Sequence, residues 1–373
     1  MCTVQEVAPA VRFELTTKRL TVARSTTELR RSGRRRPGRP PRRPEQIRPR
    51  AAKNTRGPSA GGSDIIPGMT SPLVAPETLR TWIAEGRPDL HIVDVRWYLG
   101  QPRGSGRAAY DGGHIPGAIH LDLDTDLVAA EGPGRHPLPD PAAFAATLAR
   151  YAIGDGDLVV AYDDVGGWVA ARLWWMLEDL GFGADGRGGA AVLDAGLQGW
   201  TGIGGELATE VPPWRSTRRP LHLAAAWRRV VDRAGLKARL GEIVLLDARG
   251  GPRYRGEVEP IEPVAGHIPT AVNAPTDGNL GPDGRFLSPG LLRDRFAAVD
   301  GLAAAAGIAG AGRVGPEAPV VTSCGSGVSG CHNALAMRVA GLPDPLLYPG
   351  SYSDWSRAGE PVAVGSEPGA MPR

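Results

Sequence analysis

The chain of 373 residues is long enough for two domains, each able to bury a core of its own. Hydrophobic residues make up 42%, yet no apolar run reaches the ~18 residues that span a bilayer, which excludes a membrane-spanning helix. The net charge of +3 is unevenly spread: residues 1–68 hold 16 Lys/Arg against five Asp/Glu, so the basic character belongs to a tail and the body is acidic.

That tail contains "RRSGRRRPGRPPRRPEQIRPRAAKNTRGPSAGGS", rich in Arg, Pro and Gly and nearly devoid of apolar residues. It cannot bury enough surface to offset its ordering entropy and reads as disordered. An anion-binding arm, a targeting peptide and an over-extended start are the competing readings, and a true start at Met69 is the favoured one. The basic run lacks aromatics, so no nucleic-acid partner is expected, and no membrane partner either. Three cysteines, Cys2, Cys324 and Cys331, do not make a disulfide framework, and a reducing cytoplasm is the expected setting.

From residue 70 onward, short apolar runs alternate with helical patterns. "HIVDV" (91–95) reads as a buried strand, followed by a long loop and a Gly-His-Ile-Pro turn in "GGHIPGAIH" (112–120). "LVVAY" (158–162) is a third strand that runs through a loop into an amphipathic helix, and "AAVLDA" (190–195) is a fourth. A Pro-rich, charged stretch at 209–220 reads as a linker. The order then repeats: "IVLLDA" (243–248), "AGHIPTAVN" (265–273), "PVVTS" (319–323) with its helix, and "PLLYP" (345–349). Asp94 to Asp247 and His114 to His267 are both 153 residues apart. Two copies of one α/β domain are therefore predicted, each a parallel sheet with helices on both faces, over 70–208 and 221–365. Ligands of such sheets bind at the carboxyl ends of the strands.

One loop at such an end carries chemistry. "SCGSGVSGCH" (323–332) joins the strand "PVVTS" to a helix. Gly325 and Gly327 permit positive φ, so successive N–H groups can turn inward as a nest beside the helix N-terminus. Such a nest stabilises an anion, and a thiolate is a better nucleophile than a thiol. Cys324, Cys331 and His332 have no C-x-x-C partner for zinc, the Gly-Lys-Ser/Thr of a phosphate loop is absent, and Gly330 stands where a cysteine phosphatase needs Arg. Cys324 thus reads as a nucleophile or a buried structural thiol, and Cys331 as a core residue. The first copy has Asp163 at the place of Cys324. His114 and His267 read as turn-stabilising.

Together the doubled "GHIPGA"/"GHIPTA" turns, "DVRWYL", "DARGGPRYRGE" and "CGSGVSGCH" resemble the tandem-domain rhodanese family of sulfurtransferases over about residues 70–365. The loop is similar to the 3-mercaptopyruvate sulfurtransferase signature Cys-Gly-Ser-Gly-Val-Thr, with Ser329 in place of Thr. The resemblance implies two rhodanese-like domains, the first catalytically silent. It implies ping-pong transfer of sulfane sulfur from thiosulfate or 3-mercaptopyruvate to cyanide or a thiol, such as a thioredoxin-like protein, through a Cys324 persulfide. A sulfur-relay protein with a protein acceptor and low turnover is the alternative. No cofactor and no metal are implied. Ser326 is expected as a hydroxyl donor, and Asp124 and His136 are expected to approach the nucleophile from the first domain. Gly325, Gly327, Val328 and Ser329 are expected around the donor, with Arg253 gripping its anionic group. Arg249 is expected to pair with the scaffold and Arg255 with solvent or structure. The family's second Arg, nine residues after the first within Glu-Pro-Arg, is absent; Ile261 and Glu262 stand there, and the loop is two residues shorter.

Overall fold

The computed structural model describes residues 71–213, 220–311 and 320–369. The basic tail, Cys2 and the expected start at Met69 lie outside the described residues, as do 214–219 of the expected linker.

The first half runs β1 (Leu73–Val74), α1 (Pro76–Ala84), β2 (Leu90–Asp94), α2 (Ser105–Gly112), β3 (Ile119–His120), α3 (Leu123–Asp126), α4 (Pro141–Arg150), β4 (Leu158–Tyr162), α5 (Ala170–Asp179), β5 (Gly189–Leu193) and α6 (Gly196–Gly202). The second half repeats the order from α7 (Arg233–Lys237) through β6 (Val244–Asp247), α8 (Gly251–Tyr254), β7 (Ala271–Asn273), a 3₁₀ turn (Thr276–Asn279), α9 (Pro289–Ala305), β8 (Val320–Ser323), α10 (Gly330–Val339) and β9 (Leu346–Leu347) to α11 (Ser351–Arg357). All strand pairs are parallel, in the orders β1-β5-β4-β2-β3 and β9-β8-β6-β7. A parallel bridge from Val230 to Leu347 supplies the second sheet's counterpart of β1.

Both sheets are covered on both faces, which is why their strands read as unbroken apolar runs. Along β2, Val93 faces the cluster of α4 and α5, and Ile92 faces that of α1 and α6. In the second half Val244 and Leu246 face α9 and α10, and Leu245 faces α7 and α11. Each such fully buried aliphatic side chain stabilises the fold by about 1.5–3 kcal/mol.

The repeat extends to its polar scaffold. Arg96 binds Asp94 and the carbonyl of Gly113 (2.8 Å), and Arg249 binds Asp247 and the carbonyl of Gly266 (2.7 Å). His114 and His267 each bond through Nδ1 to a tyrosine carbonyl and through Nε2 to a carbonyl about a hundred residues away. These histidines are consumed in pinning their turns.

The halves meet where α5 and α10 share one apolar cluster. Across it each helix reaches the other half's strand-to-helix loop. Arg172 of α5 donates to the Gly327 carbonyl (2.9 Å), and His332 of α10 bonds the Gly166 carbonyl (3.0 Å). Gly166 and Gly327 occupy equivalent loop positions and both have positive φ. Burial pushes His332 down to about 4, so this grip is neutral, whereas Arg172 brings a cation beneath the Cys324 loop. Among the described residues no helix is long and apolar enough to cross a membrane.

Candidate active site

Cys324 follows the last residue of β8, and the loop 324–329 carries the chain into α10. Its backbone is tied to the segment after β9. Cys324 N–H donates to Ser351 Oγ (3.1 Å), while Tyr352 N–H and Ser353 N–H donate to the carbonyls of Cys324 (3.0 Å) and Gly325 (2.9 Å). At Gly327, φ is +78° and a β-carbon would lie 2.3 Å from the Pro349 carbonyl oxygen, so only glycine fits. Held this way, the loop turns two N–H groups onto the cysteine: Sγ accepts from Gly327 (3.1 Å) and Ser326 (3.4 Å).

The sister loop is a control supplied by the chain itself. Asp163 accepts four backbone N–H bonds, from Val165, Gly167, Val169 and Ala170, at 2.7–3.0 Å. Burial raises this carboxyl above its usual range, and the four N–H groups pull it back toward the anion. The same loop design thus holds a carboxyl that accepts four N–H bonds in one half and a sulfur in the other.

Cys324 lies at the floor of a cavity of about 220 Å³, also lined by Trp97 and Arg135 from the first half and by Arg249 and Arg253 from the second. Gly325, Ser326, Val328 and Ser329 line it as well, although Val328 also belongs to the core cluster between the halves. Two expectations about the glycines change. Gly327 is absent from the lining and serves the turn against Pro349. Gly325 has no positive φ; its missing side chain instead leaves room for guanidinium groups, since a β-carbon there would stand 3.1 Å from Arg135 Nη2 and 3.6 Å from Arg253 Nη1.

Behind the loop stands a polar chain. His136 Nδ1 is 2.7 Å from Ser326 Oγ, and Nε2 is 3.6 Å from Asp124 Oδ1. The carboxylate beside Nε2 favours the Nε2–H tautomer and leaves Nδ1 to accept the Ser326 hydroxyl. His136 holds Asp124 below the usual carboxylate range. Burial, with the nearby Arg135 and Arg172 charges, holds His136 below its ordinary 6.5 despite Asp124. The three expected residues thus form one chain that reaches the Cys324 loop through Ser326, while His136 and Asp124 are absent from the cavity lining.

Of the cations, Arg249 is committed to the scaffold: it binds Asp247 and Gly266 and stacks 3.9 Å over Tyr352. Arg253 forks onto Glu259 (2.7 Å) and keeps Nη1 toward the cavity. Arg255 pairs with Glu257 at the surface. Cys331 is fully buried, donates to the Gly327 carbonyl (3.5 Å) and is pushed up to about 12 by burial, so it is a supporting thiol. His332 is spent on Gly166 and Asn279.

Sequence reasoning passes over Arg135, Arg172 and Ser351. Arg172 had a signal: it is one charge inside the otherwise apolar "AARLWWML" run. It donates to the carbonyls of both Gly327 and His136 (3.2 Å), fastening the two catalytic-loop candidates together. Arg135 and Ser351 had none, because tertiary folding alone brings them to residue 324.

A family model described as rhodanese-like domain matches the chain twice, at residues 75–202 and 232–358. A Pseudomonas aeruginosa protein provisionally named a 3-mercaptopyruvate sulfurtransferase is 42% identical over 286 residues, 74% of this chain and 93% of that protein. A Mycobacterium tuberculosis protein provisionally named a thiosulfate sulfurtransferase is 40% identical over 289 residues, 76% of this chain and 93% of that protein. The structure of 3-mercaptopyruvate sulfurtransferase from Leishmania major superposes with a TM-score of 0.63 at 28% identity, covering 77% of this chain and 75% of that one.

Proposed function

Because the chain belongs to the rhodanese family and is a sulfurtransferase built of two such domains, we propose that Cys324 is its nucleophile and carries sulfur as a persulfide. On this reading residues 221–365 form the catalytic domain, residues 70–208 a non-catalytic partner that furnishes Asp124 and His136, and 209–220 the link. The observation that carries the reading is the pair of loop N–H groups aimed at Cys324 Sγ on the floor of a cation-faced cavity.

The Cys324 thiolate attacks the terminal sulfur of thiosulfate; the new S–S bond forms as the old one breaks, and sulfite leaves with the electron pair. With 3-mercaptopyruvate the C–S bond breaks instead, leaving a pyruvate enolate and Cys–S–SH, whose proton then passes to the enolate carbon. In both cases Cys324 ends as Cys–S–S⁻, and the N–H groups of Ser326 and Gly327 stabilise the charge on sulfur. Ser326 and His136 relay the proton, oriented by Asp124. Cyanide or a thiolate acceptor then takes the outer sulfur and regenerates the thiolate. Gly325 leaves space for the donor, Val328 and Ser329 wall it, Gly327 fixes the loop, and Arg253 faces the donor's anionic oxygens.

Two measurements test this together. Incubation with donor and no acceptor is expected to add one sulfur atom, read by mass on the Cys324 peptide, and initial rates against donor and acceptor are expected to give parallel double-reciprocal lines. Sulfur on another residue, or intersecting lines, overturns the reading.

The relay makes a pH prediction. His136 accepts a proton only while neutral, and its neutral form persists below its ordinary 6.5. Turnover of 3-mercaptopyruvate is expected to fall with decreasing pH along a limb centred below that value. His136→Gln lowers kcat roughly 100-fold and abolishes the limb; a limb retained in the variant assigns it to another group.

A further inference from the structure

The second cation of the donor pocket comes from the other half of the molecule. Nine residues after Arg253, in the second half, stands Glu262. The Glu262 side chain is buried, and it accepts from Arg135 Nε (2.7 Å) and from Arg357 Nε (3.2 Å). A buried acid of the second half thus holds an arginine that comes from the first.

The consequence lies at Gly325. Arg135 spends its Nε edge on Glu262, as Arg253 spends its Nε and Nη2 edge on Glu259. Each keeps an Nη group for the same point, 3.1 Å and 3.6 Å from where a Gly325 β-carbon would lie. The two Nη groups therefore converge on the open face of Gly325, where one small anion in the cavity can meet both. Arg135 is not a loose surface residue: its side chain is 16% exposed, its N–H donates to Ser353 Oγ (3.1 Å), and Gly134 before it packs 2.5 Å (from an ideal β-carbon) against the Gly350 carbonyl. The backbone at Arg135 is thus held by two contacts and its guanidinium by Glu262, which lowers the entropy lost on binding.

We infer that Arg135 is a specificity-determining residue for the sulfur donor, forming with Arg253 a two-cation clamp for a carboxylate or sulfonate head, one cation from each half. The inference rests on the sulfurtransferase reading above. A head with two anionic oxygens spans both guanidinium groups and directs the donor's sulfur toward Cys324. Glu262 orients Arg135.

Steady-state kinetics of the full chain with each donor, on wild type, Arg135→Ala and Arg135→Lys, test it. Loss of a charge-assisted bond predicts KM raised about 10- to 100-fold in Arg135→Ala with kcat changed less than ~3-fold, and a partial rise in Arg135→Lys. A rise with 3-mercaptopyruvate alone identifies the head as a carboxylate, and one with thiosulfate alone as a sulfonate. A second readout needs no turnover. Iodoacetate and iodoacetamide both alkylate a thiolate with loss of iodide, but only the former carries a carboxylate. Arg135→Ala is expected to slow iodoacetate at the Cys324 peptide about tenfold and leave iodoacetamide unchanged. Unchanged KM for both donors, or equal slowing of both reagents, overturns the clamp. A wild type that turns over neither donor while keeping the iodoacetate preference overturns the enzyme reading and spares the clamp.

Discussion

Cys324→Ser is expected to reduce sulfur transfer from either donor by at least ~1000-fold while leaving the fold intact. The hydroxyl fits the space of the thiol and accepts the same two N–H bonds, so the loop keeps its shape. It stays protonated at neutral pH and forms no stable bond to sulfane sulfur, so the covalent step is lost and not merely slowed. Intact mass is expected to show no added sulfur after incubation with donor, and the melting temperature is expected to stay within about 2 °C of wild type. Appreciable turnover in this variant would remove Cys324 from the mechanism.

The opposite pattern is expected at Asp163. Its carboxylate is the acceptor for four buried N–H groups, and Asp163→Ala leaves them without that partner. The cost is about 3–5 kcal/mol, or roughly 10 °C in melting temperature for a body of this size. Activity per folded molecule is expected to persist within a few-fold, because the four hydrogen-bond partners of the Asp163 carboxyl all belong to its own loop and none to the Cys324 loop. Asp163→Asn keeps one acceptor oxygen and is expected to fall between. Unchanged melting of the alanine variant would mean the loop finds other acceptors.

These two variants separate what the chain's repeated design encodes from what each copy does with it. The repeat was legible because elementary features carry it: apolar strands covered on both faces, Gly-His-Ile-Pro turns, and an identical 153-residue spacing. Cys324 was legible as a candidate nucleophile because it ends a strand and precedes glycines and a helix. Asp124 and His136 were reachable through resemblance alone, since nothing local ties residue 136 to residue 326. Strand β1, two residues long, carries no periodic signal. Gly325 was misread because a glycine selected for space and one selected for positive φ look alike in sequence. Arg135 was unreadable for a deeper reason. Its role depends on Glu262 and Gly325, which lie more than 120 residues later, and the absence of the second arginine was visible where its replacement was not.

The loop 132–137, laid over the thiol from the first half, has a consequence for how such a protein can change. On the proposed reading the thiol, its N–H cradle and Arg253 are encoded in the rear copy, while Arg135 and the Asp124–His136 pair are encoded in the front one. Drift or recombination in the first copy can retune which donor is admitted while the nucleophile and its N–H cradle stay untouched. A chimera that joins the front copy of one homologue to the rear copy of another would keep the thiol of the second parent and take from the first its proton relay and one of the two cations that meet the donor.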